Sequence, residues 1–176
     1  MSDVTPTKHR SLSKKEEIDV ILYVDTTDPD SLVILSDEEE LLLDKANLPE
    51  NIFEFKSCWA KPNYILTTII EMNAQADRVV QGKIQRVFDA NLYSMAQIMV
   101  LLRSWNLEKL DPSFKLDVEG SLDNPDVKIL TTPMLKKIGD IHPPALISTM
   151  YTKAMNKVYA SKESEVVKKL REAKKV

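Results

Sequence analysis

Residues Ile84 to Leu107, IQRVFDANLYSMAQIMVLLRSWNL, form the stretch on which the predicted fold depends. Apolar residues recur there at helical spacing for about six turns, and they stop at a tryptophan that a polar connection follows. The predicted stripe consists of Ile84, Phe88, Met95, Ile98, Leu102 and Trp105, and it is widened by Val87, Leu92, Met99 and Leu101. The pattern predicts one amphipathic helix over residues 84–105, whose apolar face must be covered by this chain or by a partner.

Asn91 interrupts the seven-residue spacing of this stripe between Phe88 and Met95. A polar residue at such a position indicates either a contact that sets the packing register or a helix rotated toward Leu92. The choice between the two decides how much of the apolar face is left for a partner.

The segments on both sides of this helix predict further helices. Apolar residues at helical spacing indicate a helix over 64–80 and a last helix over 145–159. Between them, Thr131 or Thr132 is placed to cap a short helix that has Pro133 in its first turn. The polar residues 110–128 predict a long surface connection.

The N-terminal part of the chain predicts a small β element. Ile18–Val24 and Ser31–Leu35 are short β-branched runs on either side of a turn-forming sequence, and Ile52–Ala60 is a candidate third strand. Ser36 and Glu39 have the spacing of a capping box, so a short helix should follow the second run. The sequence therefore predicts a mostly α protein with a small N-terminal β element (α+β) and a helical core of four to five helices.

Charge and polarity divide the chain into three predicted parts. Residues 1–16 are polar and predict a flexible N-terminal arm, residues 17–160 a single globular domain, and residues 161–176 a charged C-terminal helical tail. Residues 1–60 hold six Lys or Arg and 14 Asp or Glu, whereas residues 151–176 hold eight basic and three acidic residues. This gradient favours either a polar partner surface or two solvated faces.

The residue types present predict no active site, no metal site and no cofactor, and the protein is not expected to be an enzyme. His9, His142 and Cys58 are too few for zinc coordination, and Cys58 has no neighbouring base that would make it a nucleophile. Asp37–Glu40 suit the start of a helix better than a pair of catalytic carboxylates. Three glycines are few for a nucleotide-binding enzyme. An overall charge of −3 argues against a nucleic-acid partner.

A single cysteine predicts a reducing compartment such as the cytoplasm. The chain has no run of about eighteen apolar residues, which predicts that it does not interact with a membrane. The polar N-terminus lacks the apolar core of a signal peptide.

Four aromatic residues and one leucine, at or near the ends of apolar runs, are the candidate partner-binding residues. A tryptophan in such a position either completes a core or anchors a partner. The candidates are Trp59, Tyr64, Trp105, Leu107 and Phe114.

The layout from Phe55 to Val158 resembles the small tail assembly chaperones of tailed bacteriophages. The resemblance rests on an aromatic-Pro entry into a helix at Cys58–Pro62, and on a leucine pair with a tryptophan in Leu101–Leu107. It also includes an acidic loop, a Thr-capped helix at Leu130–Leu135 and a last amphipathic helix. The N-terminal sixty residues are longer and more acidic than that layout requires.

This resemblance implies a non-enzymatic factor that binds a client protein during assembly of a larger complex, in the host cytoplasm if the protein is viral. The alternative is a permanent minor structural subunit of a virion tail or baseplate. A homo-oligomer is compatible with both.

Overall fold

The computed structural model describes residues 17–28, 32–122 and 124–159. Within these ranges the elements are, in chain order, β1 (Glu17–Asp25), β2 (Val33–Ile34), α1 (Asp37–Leu42), β3 (Ile52–Ala60), α2 (Tyr64–Asn73), β4 (Gln75–Val80), β5 (Lys83–Phe88), α3 (Ala90–Leu101), β6 (Leu102–Trp105), β7 (Val118–Gly120), β8 (Lys128–Leu130), α4 (Thr132–Gly139) and α5 (Pro144–Val158). Two short 3-10 helices lie at Leu107–Lys109 and Pro112–Phe114.

A four-stranded antiparallel sheet with the strand order β2-β1-β3-β6 supports the core. β1 and β3 pair along their whole length, from Glu17 opposite Ala60 to Asp25 opposite Ile52. Val20, Leu22 and Val24 of β1 are buried on one face of the sheet, and Tyr23 on the other face is buried as well. Helix α5 packs against β1 and β3, and α2 packs against α3. These helices and the sheet enclose one apolar cluster.

The prediction of a mostly α fold is wrong. Strands hold about 30% of the described residues and helices, including the 3-10 helices, about 41%, so the fold is α+β with several antiparallel sheets. The long helix predicted over 84–105 is three elements: strand β5, helix α3 and strand β6. Likewise, the helix predicted over 64–80 ends at Asn73, and residues Gln75–Val80 form strand β4.

A two-residue turn explains why the helical pattern fails near residue 84. Gln81 and Gly82 have φ angles of 51° and 73°, and positive φ at both central residues defines the type I′ turn that joins two antiparallel strands. Helix α3 then starts afresh after Asp89, whose carboxylate accepts hydrogen bonds from the backbone N–H groups of Asn91 and Leu92. Asn91 is exposed and Leu92 half-buried, so α3 turns Leu92 toward the core.

Long-range pairing ends α3 earlier than the sequence predicted. Leu102 leaves the helix with extended backbone, and the next residues pair with β3, with Ser104 opposite Cys58 and Trp105 opposite Ser57. A β-bulge between Cys58 and Trp59 accommodates this join.

The segment 110–128, predicted to be a long surface connection, contains regular secondary structure. It holds the second 3-10 helix and most of the β7–β8 hairpin, in which Gly120 pairs with Lys128. A Cβ at Gly120 would lie 2.8 Å from the carbonyl oxygen of Pro125, so a side chain at this position would force the loop to move.

Several local predictions are confirmed. Strands β1 and β2 form the predicted hairpin, with Val24 opposite Ile34, and β3 is the predicted third strand. The capping box holds α1, and Thr131 caps α4 by accepting a hydrogen bond from the N–H of Met134. The predicted arm (1–16) and tail (161–176) lie outside the described residues.

Candidate protein-interaction surface

Exposed apolar side chains are concentrated in one part of the chain. Of the sixteen large hydrophobic residues that are exposed within the described ranges, eight lie between residues 64 and 95. They are Tyr64, Ile65, Met72, Val79, Val80, Ile84, Phe88 and Met95. The segment comprises α2, the β4–β5 hairpin and the start of α3. Groups of exposed apolar side chains are a typical feature of interaction sites.

The β4–β5 hairpin, which we call the ribbon, is a separate two-stranded sheet. None of its residues belongs to the buried apolar cluster or to the half-buried side chains that pack on it. Only Ala76 and Val87 are half-buried, and the other ten strand residues are exposed. An isolated two-stranded hairpin is marginally stable in water, so the ribbon is a poor candidate for a purely structural element.

The three most exposed apolar residues of the ribbon, Val79, Ile84 and Phe88, share one face. Val79 lies opposite Ile84, and Gln75 lies opposite Phe88, on either side of the Asp77–Arg86 pair. Side chains of directly opposite residues project to the same side of a sheet. Val79 is 74% exposed, Ile84 76% and Phe88 61%, which leaves apolar groups on both sides of a charged pair.

One ion pair, one backbone hydrogen bond and one ring contact fix the ribbon where it joins the fold. Arg78 contacts Asp89 at 2.7 Å, and the backbone N–H of Asp89 donates to the carbonyl oxygen of Ala74 at 2.9 Å. Hydrogen bonds from the N–H of Leu92 and from Arg78 lower the pKa of Asp89. The ring of Phe88 lies 5.4 Å from that of Tyr93. The base of the ribbon is therefore anchored to the fold, whereas strand pairing and the Asp77–Arg86 ion pair join the two strands of the ribbon to each other.

Three of the predicted partner-binding residues lie together in the core. Trp59 is fully buried, and its indole N–H donates to the Ser57 hydroxyl at 2.9 Å. Trp105 and Leu107 are also buried, and the Trp105 indole N–H donates to the carbonyl oxygen of Phe114 at 2.8 Å. Both tryptophans therefore use their polar atoms inside the fold.

The remaining two predicted residues differ. Phe114 is partly buried and packs against the apolar cluster. Tyr64 is 87% exposed at the first position of α2, so it is the one predicted residue on the exposed apolar surface described above.

Sequence reasoning missed Val79, Ile84 and Phe88 as candidate partner-binding residues, because the predicted helix placed the latter two in its core stripe. The signal that could have identified them is the pair Gln81–Gly82 between two β-branched runs, since a two-residue turn ending in glycine is typical of a hairpin.

A shallow groove of about 410 Å³ lies on the outer face of the main sheet. Its walls include Asp19, Lys56, Cys58 and Ser104. Asn106 closes one end, because its side chain accepts from the N–H of Lys56 and donates to the carbonyl oxygen of Glu54. Asn106 therefore has a structural role, because its hydrogen bonds satisfy backbone groups of β3 where β6 ends.

Cys58 in this groove is a poor nucleophile. Burial and the neighbouring Glu17 carboxylate raise the pKa of its thiol to about 11, so the reactive thiolate is scarce at neutral pH. The thiol donates a 3.5 Å hydrogen bond to Glu17. Of the two histidines, only His142 lies in the described ranges, where it precedes a cis proline at the entry to α5.

Within residues 17–28, 32–122 and 124–159, no group of three or more His, Cys, Asp or Glu side chains is arranged to hold a metal ion. In the same ranges, every helix falls short of the length or apolarity that crossing a membrane requires.

Comparison of the chain with protein-family models, with curated proteins and with solved structures finds no match.

Proposed function

We propose that the protein is a non-enzymatic protein–protein interaction factor that engages a larger assembly through the ribbon and the exposed face of α2. The observation that carries this proposal is the exposure of Val79, Ile84 and Phe88 on a hairpin that contributes no side chain to the core. Covering such residues contributes about 1.5–3 kcal/mol each when burial is complete. A few anchors of this kind supply most of the affinity of a typical interface.

The charges of the ribbon favour a protein partner whose binding depends on its orientation as well as on the apolar area that it covers. Asp77 and Arg86 contact each other at 3.5 Å in the middle of the apolar face, and both are well exposed. Charges placed between apolar anchors contribute mainly to specificity and orientation. Tyr64 at the start of α2 supplies a further large exposed ring.

The finer form of the proposal is a tail assembly chaperone of a tailed bacteriophage, and the sequence resemblance alone supports it. The Thr-capped helix α4 and the amphipathic helix α5 of that resemblance are present. The helix that should close at Trp105 is instead α3 followed by strand β6. The alternative, a permanent minor subunit of a tail or baseplate, uses the same surface.

The test is affinity capture with the tagged full-length chain, followed by quantitative mass spectrometry. The double variant Ile84→Gln/Phe88→Gln should lose its partners, because two apolar anchors are replaced by polar side chains. The matched control is Leu122→Gln, since Leu122 is 99% exposed but lies between β7 and β8. Equal capture by the wild type and the double variant would refute the proposal.

A second measurement separates the transient factor from the permanent subunit. If the captured partners form a particle, the chain should be absent from the purified, finished particle when it acts as a chaperone. A fixed stoichiometry in that particle would instead identify a structural subunit.

A further inference from the structure

We propose that a second copy of this chain pairs with the outer edge of β5, so that two ribbons form one four-stranded antiparallel sheet. This inference rests on the proposed function, because it names one of the partners that the ribbon binds. Three observations support the inference: the unpaired backbone groups of β5, the order of the side chains along β5, and a comparison of the β5 edge of the ribbon with its β4 edge.

The outer edge of β5 presents unpaired backbone groups. In a hairpin closed by a two-residue turn, the pair that flanks the turn is hydrogen-bonded, and hydrogen-bonded pairs alternate with non-bonded pairs from there. Val80 and Lys83 flank the turn. The backbone N–H and C=O groups of Ile84, Arg86 and Phe88 therefore point away from β4. Among the described residues, β4 is the one strand that pairs with β5.

The edge has only part of the usual protection against pairing. Natural edge strands are blunted by charged side chains, by proline, by bulges or by a covering loop. β5 contains no proline, and its pairing with β4 runs without a register shift from Lys83 to Phe88. Five of its six residues are exposed. Lys83 and Arg86 are its charged residues, and Arg86 already contacts Asp77.

A two-fold axis through Arg86 brings complementary side chains together. Antiparallel pairing of two β5 strands about this axis sets Ile84 opposite Phe88 of the second copy, and the same contact recurs on the other side of the axis. Each contact extends the row that starts at Val79, so two apolar rows of three residues flank the axis. Cross-strand pairs of an aromatic with a β-branched residue are among the favourable ones.

The charged row on the axis is also balanced. It reads Asp77, Arg86, Arg86 of the second copy and Asp77 of the second copy. Like charges directly opposite each other are unfavourable in a sheet, but each arginine here is contacted by an aspartate on its own chain. The row is neutral in total, and it fixes the register.

Other arrangements are less favourable. Self-pairing of the β4 edge about Asp77 would set two aspartates together and Val79 opposite Gln75. Moving the β5 axis to Gln85 would set Ile84 opposite Arg86. Of these registers, the one centred on Arg86 is thus the one that sets both Ile84 and Phe88 opposite an apolar side chain.

Disulfide trapping tests the register in the full-length chain. In the Cys58→Ser background, Arg86→Cys places a thiol on the axis, where opposite Cα atoms of a hydrogen-bonded pair lie about 5.5 Å apart, within reach of a disulfide. The matched control Gln85→Cys lies one residue away on the opposite face, and its two copies are diagonal neighbours beyond that reach. We expect covalent dimers from Arg86→Cys under mild oxidation and at least tenfold fewer from Gln85→Cys.

Sedimentation equilibrium of the wild-type chain provides an independent measurement. The mass should rise from one chain of 20.0 kDa toward two as concentration approaches about 100 μM, where even small interfaces associate. Ile84→Lys should abolish this rise, whereas Leu122→Lys should leave it unchanged, and circular dichroism should show that both variants are folded.

Two results overturn the inference: a wild-type chain that stays single at that concentration, or equal cross-linking by the two cysteine variants. Either result leaves the proposed function standing if the Ile84→Gln/Phe88→Gln variant still loses its captured partners. The opposite outcome is also informative. If the dimer forms as described and the Ile84→Gln/Phe88→Gln variant keeps every other partner, the ribbon serves self-association alone.

Discussion

The outer part of the ribbon can be removed without unfolding the protein, if the ribbon serves binding and not the core. The perturbation replaces residues 77–86 by Asn-Gly, so that Ala76 and Val87 flank a new two-residue turn. These two residues lie directly opposite each other, and they are the half-buried residues of the ribbon. By the alternation from the existing turn they form a hydrogen-bonded pair, which is the position that a two-residue turn requires.

The expected change in the free energy of unfolding is small because its contributions are small and opposed. Shortening the connection from ten residues to two lowers the entropic cost of closing it by (3/2)RT ln 5, about 1.4 kcal/mol in favour of the folded state. The excision also removes the contact between Arg78 and Asp89, and an exposed pair of this kind contributes little. The ring contact of Phe88 with Tyr93 is retained. The net change should stay within about 1 kcal/mol, or a shift in Tm of roughly 2–4 °C.

Urea unfolding followed by tryptophan fluorescence is a suitable assay, since both tryptophans are buried in the core. The substitution Ile70→Ala calibrates it, because Ile70 is almost fully buried and its truncation should cost about 2–5 kcal/mol. A loss above about 3 kcal/mol on excision, or a transition that is no longer cooperative, would show that the ribbon is part of the folding unit.

Four further predictions concern individual side chains or pairs of side chains. Thr131→Ala should lower the free energy of unfolding by about 1 kcal/mol in urea titrations, because it removes the cap of α4, whereas Thr131→Ser should restore most of it. At pH 8, iodoacetamide should label Cys58 at least tenfold more slowly in the folded chain than in urea, since its pKa is raised to about 11; equal rates would contradict this. The same raised pKa means that stability is complete below the pKa of the unfolded thiol and falls as pH rises toward 11, and Cys58→Ser should flatten that fall. The buried amide of Gln97 accepts from Tyr151 at 2.5 Å and donates to Tyr159 at 2.8 Å, so Gln97→Leu and Tyr151→Phe should show a coupling above about 0.5 kcal/mol in a double-mutant cycle, and additive effects would contradict the network.

Local signals in the sequence predicted the parts of the fold that depend on neighbouring residues. The capping box of Ser36 and Glu39 and the cap at Thr131 were identified because their hydrogen bonds span three residues. Strand β1 was identified because a short β-branched run is typical of a strand, and β3 because side chains alternate over Ile52–Phe55.

The region around residue 84 was mispredicted because its pattern fits two structures. Ile84 and Phe88 are four residues apart, which suits one face of a helix, and they are also an even number apart, which suits one face of a strand. The pair Gln81–Gly82 favours the strand over the helix, because a two-residue turn ending in glycine is typical of a hairpin. The end of α3 at Leu101 could not be found locally, because β6 owes its extended form to pairing with β3, more than forty residues away.

The candidate surface was harder to predict than the fold, because the type of a residue does not determine whether its side chain is exposed. Trp59 and Trp105 stand at the ends of apolar runs, as a partner anchor would, yet each has a buried hydrogen-bond acceptor inside the protein. Ile84 and Phe88 had the pattern of core residues and lie on the surface. Only the tertiary contacts distinguish these cases.

The two proposals together assign different surfaces to different contacts. Self-pairing through β5 would use Ile84 and Phe88 and leave the exposed face of α2 uncovered, including Tyr64 and Met72. A dimer would then present two such faces to a client, and two linked contacts raise the effective affinity far beyond one, provided that the client can reach both. Substitution of Tyr64 should therefore weaken client capture without changing the mass of the dimer, whereas Ile84→Lys should affect both.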